Sequence, residues 1–413
     1  MIEPTRVVIL GMYYAPEVSG SAPYTTDLAE HLAARGHKVT MITTYPHYPE
    51  WKQRGRSRWF VRRSEVNGVT VIRVPAFVPR NPTLATRLLY EISFVATAGP
   101  LTMLSRADLY VGTTPNILSA VAVRAVATVR RKPHVQVLQD LVSSALTQTA
   151  QGTEQGRAAK ATRAVEKWAL GAAAVITVPG PSFERSLRRL GVTSRIEIIR
   201  NWTRTKEDFN DTTISAEYLK RTAGWPKRTI VLHTGNMGQK QGLDELSPAI
   251  QTIAQEEPGI HFVFVGDGNR KGALVSVTSG LPNVTISPSL PDAEFALALR
   301  SADVLLVHES AAVRDMSLPS KLTSYFASGK PVVAVVHDEG ATAEELRTSG
   351  GGLIVKQGDA EALLAAIRIA VDDHDTRDRI VARAREHRTR AFDQTTNLAR
   401  LSSLIDEAIN EVA

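Results

Sequence analysis

The 413-residue chain contains no cysteine, which excludes disulfides, thiolate zinc sites and cysteine nucleophiles and suits a reducing compartment. Long polar or single-residue runs are absent too, and with 43% hydrophobic and 22% charged residues the composition is that of a folded soluble protein. The N-terminus, MIEPTRVVILG, lacks a basic leader followed by a long apolar run and a cleavage site. It reads as the first strand of a domain, and the expected location is the cytoplasm. Acidic residues are scarce in one half only. Residues 1–205 hold 27 Lys and Arg against 13 Asp and Glu, a net +14, whereas the remainder carries 22 against 29, a net −7. Such asymmetry points to an anionic partner for the first half. No nucleic-acid motif accompanies the charge, so nucleic acid is not the expected partner.

At about 150 residues per domain, this length suggests two or three units. Short apolar runs alternate with helical patterns throughout, the signature of βαβ units and a mainly parallel sheet. Seven strand-like runs, from VVILG at Val7 to RIEIIRN ending at Asn201, complete one doubly wound domain. Six more, from TIVLHTG at Thr229 to GGLIV ending at Val355, make a second. Between them, near residues 202–226, Pro, Thr and charge replace apolar periodicity. The expected domains are 1–205, 206–390 and a C-terminal amphipathic helix within 391–413, spaced at Leu398, Leu401, Leu404, Ile405 and Ile409 and able to pack back on the first domain.

Two Rossmann-like halves facing one another bind ligands in the cleft at the carboxyl ends of their strands, so the loops after strands matter most. After the first strand, Gly20 and Ser21 precede an amphipathic helix; small residues there let an anion approach backbone N–H groups, and an ordinary strand-to-helix turn fits equally. In HTGNMGQKQGLDEL, Gly235, Gly238 and Gly242 surround Asn236, Lys240 and Gln241, so backbone amides and one ammonium are placed to hold a phosphate. HFVFVGDGNRKG has Lys271 where a dinucleotide fingerprint needs its third glycine, which argues against a nicotinamide cofactor and for a turn that receives a base. Pro319-Ser320-Lys321 also follows a strand, ADVLLVH, and enters a helix. A cation is disfavoured at that helix end by the dipole, and a bound anion would remove the penalty.

With these loops in this order the chain resembles the GT-B nucleotide-sugar glycosyltransferases and, within them, family 4, which are retaining enzymes. The similarity is to the branch with fucosyl- and N-acetylfucosaminyl-type transferases of bacterial polysaccharide assembly. Four stretches carry it: YYAPEVSGSAPYTTDLAEHLAARGHKVTMITTYPHYP, TGNMGQKQGLDEL, FVGDG and LPSKLTSYFASGKPVVAVV. The resemblance implies an α/β, GT-B fold with the acceptor on the first domain and the sugar nucleotide, UDP-linked by preference, on the second. It assigns diphosphate contacts to Gly235, Asn236, Lys240, Gln241 and Lys321, with Gly238, Pro319, Ser320, Leu322 and Ser324 around them in the donor site and Gly20 and Ser21 supplied by the first domain. Gly266, Asp267 and Gly268, with Ser289 and Leu290, would border the base. The family's two glutamates fall on Met316 and Ser324, which cannot act as carboxylates, so Asp315 is the candidate beside the sugar. Asp140 stands where the family often has a histidine. In retaining transfer the leaving diphosphate can itself accept the acceptor's proton, so Lys240 and Lys321 weigh more than any general base. Neither a metal nor a cofactor is expected beyond the sugar nucleotide as co-substrate. A nucleotide-sugar 2-epimerase and a catalytically silent scaffold are the competing readings.

The stretch WKQRGRSRWFVRR, residues 51–63, has six Lys or Arg and three aromatics in thirteen residues. That mixture suits an anionic membrane interface, a solvated loop being the alternative. LLYEISFVATAGPLTML, residues 88–104, is broken by Glu91, Gly99 and Pro100 and falls short of the roughly 20 residues needed to span. It reads as a buried helix, with shallow insertion as the second reading. A lipid-diphosphate-linked acceptor and a peripheral place at the inner face of the membrane would explain both features.

Overall fold

A computed structural model of the chain describes residues 4–17, 20–47, 51–52, 59–80, 83–140, 157–202, 225, 228–311 and 321–411. It divides into two compact units, residues 1–200 with 395–413, and residues 201–394.

In the first unit, eight strands follow the chain as β1 (Arg6–Leu10), β2 (Lys38–Thr44), β3 (Arg62–Val66), β4 (Val69–Val74), β5 (Leu109–Thr113), β6 (His134–Val137), β7 (Val175–Val178) and β8 (Ile196–Ile198). Their spatial order is β3-β4-β2-β1-β5-β6-β7-β8. Val7, Val8, Ile9 and Leu10 are all buried, as expected of a central parallel strand covered on both faces. All neighbours run parallel except β3 against β4.

That antiparallel edge strand begins at the end of the basic stretch 51–63 and is not among the seven strand-like runs read from the sequence. All five of its residues are exposed, so it has no apolar alternation to betray it, and its two arginines suit an edge that must not pair further. Asn67 (φ 50°) and Gly68 (φ 78°) make the two-residue turn into β4, the Asn-Gly signal of a tight hairpin.

The apolar run at 88–104 belongs to a helix, Leu84–Leu104, that is buried on one face only. Tyr90, Phe94 and Ala98 enter the core, while Leu88, Leu89 and Ile92 stay about half exposed. This corrects the reading of a buried helix. No helix among the described residues is long and apolar enough to cross a membrane.

The C-terminal helix, Gln394–Asn410, belongs almost entirely to the first unit and buries Leu398, Leu401, Leu404 and Ile405. Asp406 accepts from Arg35 at 2.8 Å, and Glu407 accepts from Arg195 at 2.8 Å.

The second unit is a six-stranded parallel sheet: β9 (Thr229–Asn236), β10 (Ile260–Asp267), β11 (Val284–Ser287), β12 (Val304–His308), β13 (Val332–Val335) and β14 (Leu353–Val355). The order β11-β10-β9-β12-β13-β14 means that the chain winds outward one way from β9 and then the other way from β12. Side chains alternate between two cores, with Leu232, Val263, Leu305 and Ala334 on one face and Val231, Phe262, Phe264 and Val333 on the other. Helices Ala341–Ser349 and His374–Ala391 are joined by a buried contact of 2.5 Å between His387 Nε2 and Glu345 Oε1. They brace β12 and β13 from the side of helix Lys321–Ser328, whose Tyr325 and Phe326 are wholly buried.

Candidate functional site

Because winding reverses between β9 and β12, their carboxyl ends splay apart there, which is where doubly wound sheets receive ligands. The loop after β9 is tied down by its own backbone. The Met237 amide donates to Asp267 O at 2.8 Å, those of Gln241 and Gly242 donate to Gly238 O at 3.1 Å, and that of Gly238 donates to Gln241 Oε1 at 3.3 Å. These four amides are engaged by the loop's own fold, while Asn236 is exposed and Lys240 half-buried, so both side chains are placed to meet a ligand.

The strands β9 and β10 remain paired through Gly235–Gly266 and Asn236–Asp267. Gly266 has φ 151° and approaches β9 so closely that a Cβ on it would stand 1.9 Å from Gly235 O. A Cβ on Gly268 would meet Met237 O at 2.5 Å. Gly266→Ala is therefore expected to cost on the order of 1–3 kcal/mol and to displace the 236–242 loop. Thermal unfolding and nucleoside-diphosphate titration read the two effects; native stability with native affinity would contradict the close approach.

β12 ends at His308 and the chain continues through Glu309 and Ser310, all three buried. His308 Nδ1 lies 2.5 Å from Gln241 O and the Ser310 amide donates to Lys240 O at 2.9 Å, so β12 fixes the Lys240 loop from its other side. Glu309 is 6% exposed; its amide donates to Val335 O at 3.1 Å and its Oε1 accepts from Thr342 Oγ1 at 2.8 Å. Burial pushes its carboxyl up to about 7, against the opposing pull of Thr342, Lys321 and Lys240.

Lys321, the first residue of helix Lys321–Ser328, is half-buried, with Nζ 3.0 Å from His233 Nε2. His233 is fully buried and its Nδ1 lies 3.0 Å from Leu306 O. A carbonyl only accepts, so Nδ1 carries the proton and Nε2 presents a lone pair to the ammonium. Burial, reinforced by Lys321, holds His233 well below the ordinary histidine value and therefore neutral. Desolvation also draws Lys321 down to about 7, opposed by Glu309.

The first unit carries a separate buried cluster. His47 Nδ1 is 2.9 Å from Tyr45 O and 3.6 Å from Glu17 Oε1, so Nε2 accepts from the Tyr90 hydroxyl at 2.8 Å. Glu17 also accepts from the His47 amide at 2.8 Å, and Arg73 donates to Thr44 O at 2.9 Å and to Ala15 O. These contacts tie the loop after β1 to the end of β2.

Family models match both halves: "Glycosyl transferase 4-like domain" over residues 19–202 and "Glycosyl transferases group 1" over residues 228–373. The chain belongs to the GT-B glycosyltransferases. WcaI of Escherichia coli K12, a glycosyl transferase named for colanic acid biosynthesis, is 29% identical over 94% of this chain and 97% of its own. Among solved structures, sucrose-phosphate synthase from Thermosynechococcus elongatus superposes with a TM-score of 0.73 at 20% identity, over 98% of this chain and 100% of that one. HepE of Anabaena, in complex with UDP-glucose, gives 0.71 at 15% identity, over 98% and 100%. Both structural likenesses bear on the fold, two parallel-sheet Rossmann-like domains.

Of the residues singled out in the glycosyltransferase sequence, Gly235, Asn236, Gly238, Lys240, Gln241, Gly266, Asp267, Gly268 and Lys321 gather at the carboxyl ends of β9, β10 and β12 or in the loops packed on them. Leu322 is wholly buried and serves the core; Ser324 is half-buried one turn into the same helix. Ser289 is exposed after β11, and Leu290 packs on the core. In the first unit Gly20 is exposed with φ 65°, Ser21 is buried, and Asp140 is half-buried just beyond β6. Asp315, Pro319 and Ser320 lie outside the described residues. Glu309, His233, His47 and Glu17 were not singled out. The signal available for the first two was a polar residue just beyond, or inside, an otherwise apolar strand that ends at the switch point.

Proposed function

We propose that this glycosyltransferase moves a hexose-type sugar, with retention, from a nucleoside-diphosphate sugar, UDP-linked by preference, to a saccharide or lipid-diphosphate-linked acceptor in polysaccharide assembly. The observation that carries the reading is the Lys321 ammonium, held by the His233 lone pair at the switch-point end of the sheet, with the Lys240 loop fastened beside it. In the transfer the bond from C1 to the diphosphate oxygen breaks and a bond from C1 to the acceptor oxygen forms. The acceptor hydroxyl proton passes to the leaving diphosphate. Negative charge grows on that diphosphate as the bond breaks, so two lysines fixed by the fold lower the barrier more than they tighten the ground state. Asp315 is proposed to face the sugar, Asp140 the acceptor side, and the Gly266–Gly268 turn the base, with no metal or further cofactor required.

WcaI, named for colanic acid biosynthesis, and HepE, crystallised with UDP-glucose, support the choice of process and of nucleotide. A peripheral place on an anionic membrane is supported by Trp59 and Phe60, each 72% exposed, beside the exposed arginines of β3. Incubation with a panel of sugar nucleotides and a saccharide acceptor tests the reading. Release of nucleoside diphosphate with an acceptor-linked product of unchanged anomeric configuration is expected. An isomerised sugar nucleotide would replace transfer by epimerisation, and binding without turnover would leave a scaffold.

A further inference from the structure

Helix Leu84–Leu104 is apolar on both of its faces. The inner face meets the sheet through Tyr90, Phe94 and Ala98, whereas Leu88, Leu89, Ile92, Ala96, Pro100 and Leu104 form an outward row, every member exposed. A helix that is apolar all round is ordinarily enclosed by protein or by lipid. This one is enclosed by the chain on one side only. Its two charged residues leave the row free of charge: Glu91 accepts from the Leu118 amide at 3.4 Å, at the start of helix Ile117–Arg130, and the Arg87 guanidinium lies 5.6 Å from the centre of the Trp51 ring. With 21 residues the helix is roughly 30 Å long, and the row follows most of it.

Cations bracket the row. Arg80, just before the helix, and Arg87 in its first turns are exposed, and at the other end Arg106 is exposed and Arg130 Nε donates to Met103 O at 2.9 Å. Two further elements share this surface. Phe77, about half exposed, is held to the helix by the bond from its amide to Ser93 Oγ at 2.8 Å. Trp51 sets its ring 5.9 Å from that of Tyr90, so the basic stretch 51–63, which it begins, departs from the same helix.

We propose that the outer row of helix Leu84–Leu104 lies in the interface of an anionic bilayer, with its leucines and isoleucine among the upper acyl chains and the bracketing arginines at the phosphates. The proposal deepens the peripheral-membrane reading and rests on it for the charge of the surface. A helix that lies in the interface needs an apolar stripe with cations beside it and does not need the length to span, and no described helix here is long and apolar enough to cross. A second copy of the chain is a poorer cover. Pairing the row with its own equivalent would set arginines against arginines, whereas an anionic surface takes the aliphatic side chains and the cations together. Row and basic stretch act as one contact, so the fraction bound at high salt requires both the row and the rings of Trp59 and Phe60.

Because the chain has no cysteine, a single introduced one carries an environment-sensitive fluorophore without competition. Labels at Leu88→Cys and Ile92→Cys are expected to shift to shorter wavelength on vesicles of phosphatidylglycerol with phosphatidylcholine, and to be quenched by a nitroxide placed high on the acyl chain. A label at Val275→Cys, as exposed but on helix Lys271–Val277 of the second unit, is expected to do neither. In parallel, Leu89→Ser with Ile92→Ser should keep the native thermal midpoint and weaken vesicle binding at high salt by about 10- to 100-fold, as two side chains already half covered give up their remaining apolar area. Labels at 88 and 92 that stay in water while the protein sediments with the vesicles overturn the proposal and leave residues 51–63 as the membrane contact. A blue shift without vesicles that grows with protein concentration also overturns it, and assigns the row to a second copy of the chain. Native protein that sediments with no anionic vesicle at low salt fails the membrane reading itself, and the row falls with it.

Discussion

Lys321→Ala is expected to slow sugar transfer by about 10²- to 10³-fold while leaving the fold intact. Removing one preorganised donor from a developing oxyanion costs on that order, and here the donor is an ammonium whose position is set by His233 Nε2 at 3.0 Å. Stability should change little, because the substitution removes a buried charge as well as its partners' contact. Glu309, already drawn up to about 7 by burial, takes a proton when its cation is gone, so no isolated carboxylate is stranded. Turnover with saturating sugar nucleotide, set beside the thermal midpoint, separates the effects. Native turnover would remove Lys321 from the diphosphate; a large loss of thermal stability would mean that the lysine is chiefly structural. Lys240→Ala should act in the same direction and more weakly, since its loop is held by backbone contacts from Met237, Gly238, Gln241 and Ser310 whether or not the ammonium is present.

The sheets were legible because central parallel strands are continuous apolar runs: VVIL of β1 and VLLV of β12 announce themselves without any tertiary information. β3 was not, because RRSEV faces solvent throughout and carries no period; only the Asn67-Gly68 pair marked it. Helix Leu84–Leu104 shows the opposite failure. Its apolar content predicts burial all round, yet only the face of Tyr90, Phe94 and Ala98 meets the sheet, and nothing in the local pattern says that Leu88, Leu89 and Ile92 stay outside.

At the site, glycines and lysines in the loops after strands could be found by position alone. Their employment could not. That the Gln241 and Gly242 amides turn inward, that Gly266 presses on Gly235, and that Glu309 is enclosed by Val335 and Thr342 are consequences of contacts between segments tens of residues apart. A histidine within β9 reads as core or as ligand with equal ease until Leu306 O settles its tautomer.

Anionic vesicles are expected to sediment the protein at low salt and to release only part of it at high salt. The basic stretch 51–63 and the net +14 of the first 205 residues attract the surface over a Debye length of about 8 Å at physiological salt, and that attraction is screened as salt rises. Trp59 and Phe60 add a term that salt does not screen. Both rings are 72% exposed, the Phe60 carbonyl is held by the Tyr45 hydroxyl at 2.8 Å, and the two residues stand next to the charged edge strand rather than in a core. Aromatic bodies flanked by arginines fit the headgroup boundary, where a ring enters the apolar layer while the cations remain with the phosphates. Replacing Arg54, Arg56, Arg58 and Arg62 with serine should abolish most of the low-salt binding, whereas Trp59→Ser with Phe60→Ser should spare low-salt recruitment and remove the fraction that survives high salt. Neither variant should alter transfer to a short water-soluble acceptor, because none of the six replaced residues is among those assigned to the donor. A native chain that stays in solution with anionic vesicles even at low salt would make residues 51–63 a solvated face and withdraw the main support for a lipid-linked acceptor. Equal loss from both variants at every salt concentration would assign the binding to charge alone and leave the two aromatic rings without a role in it.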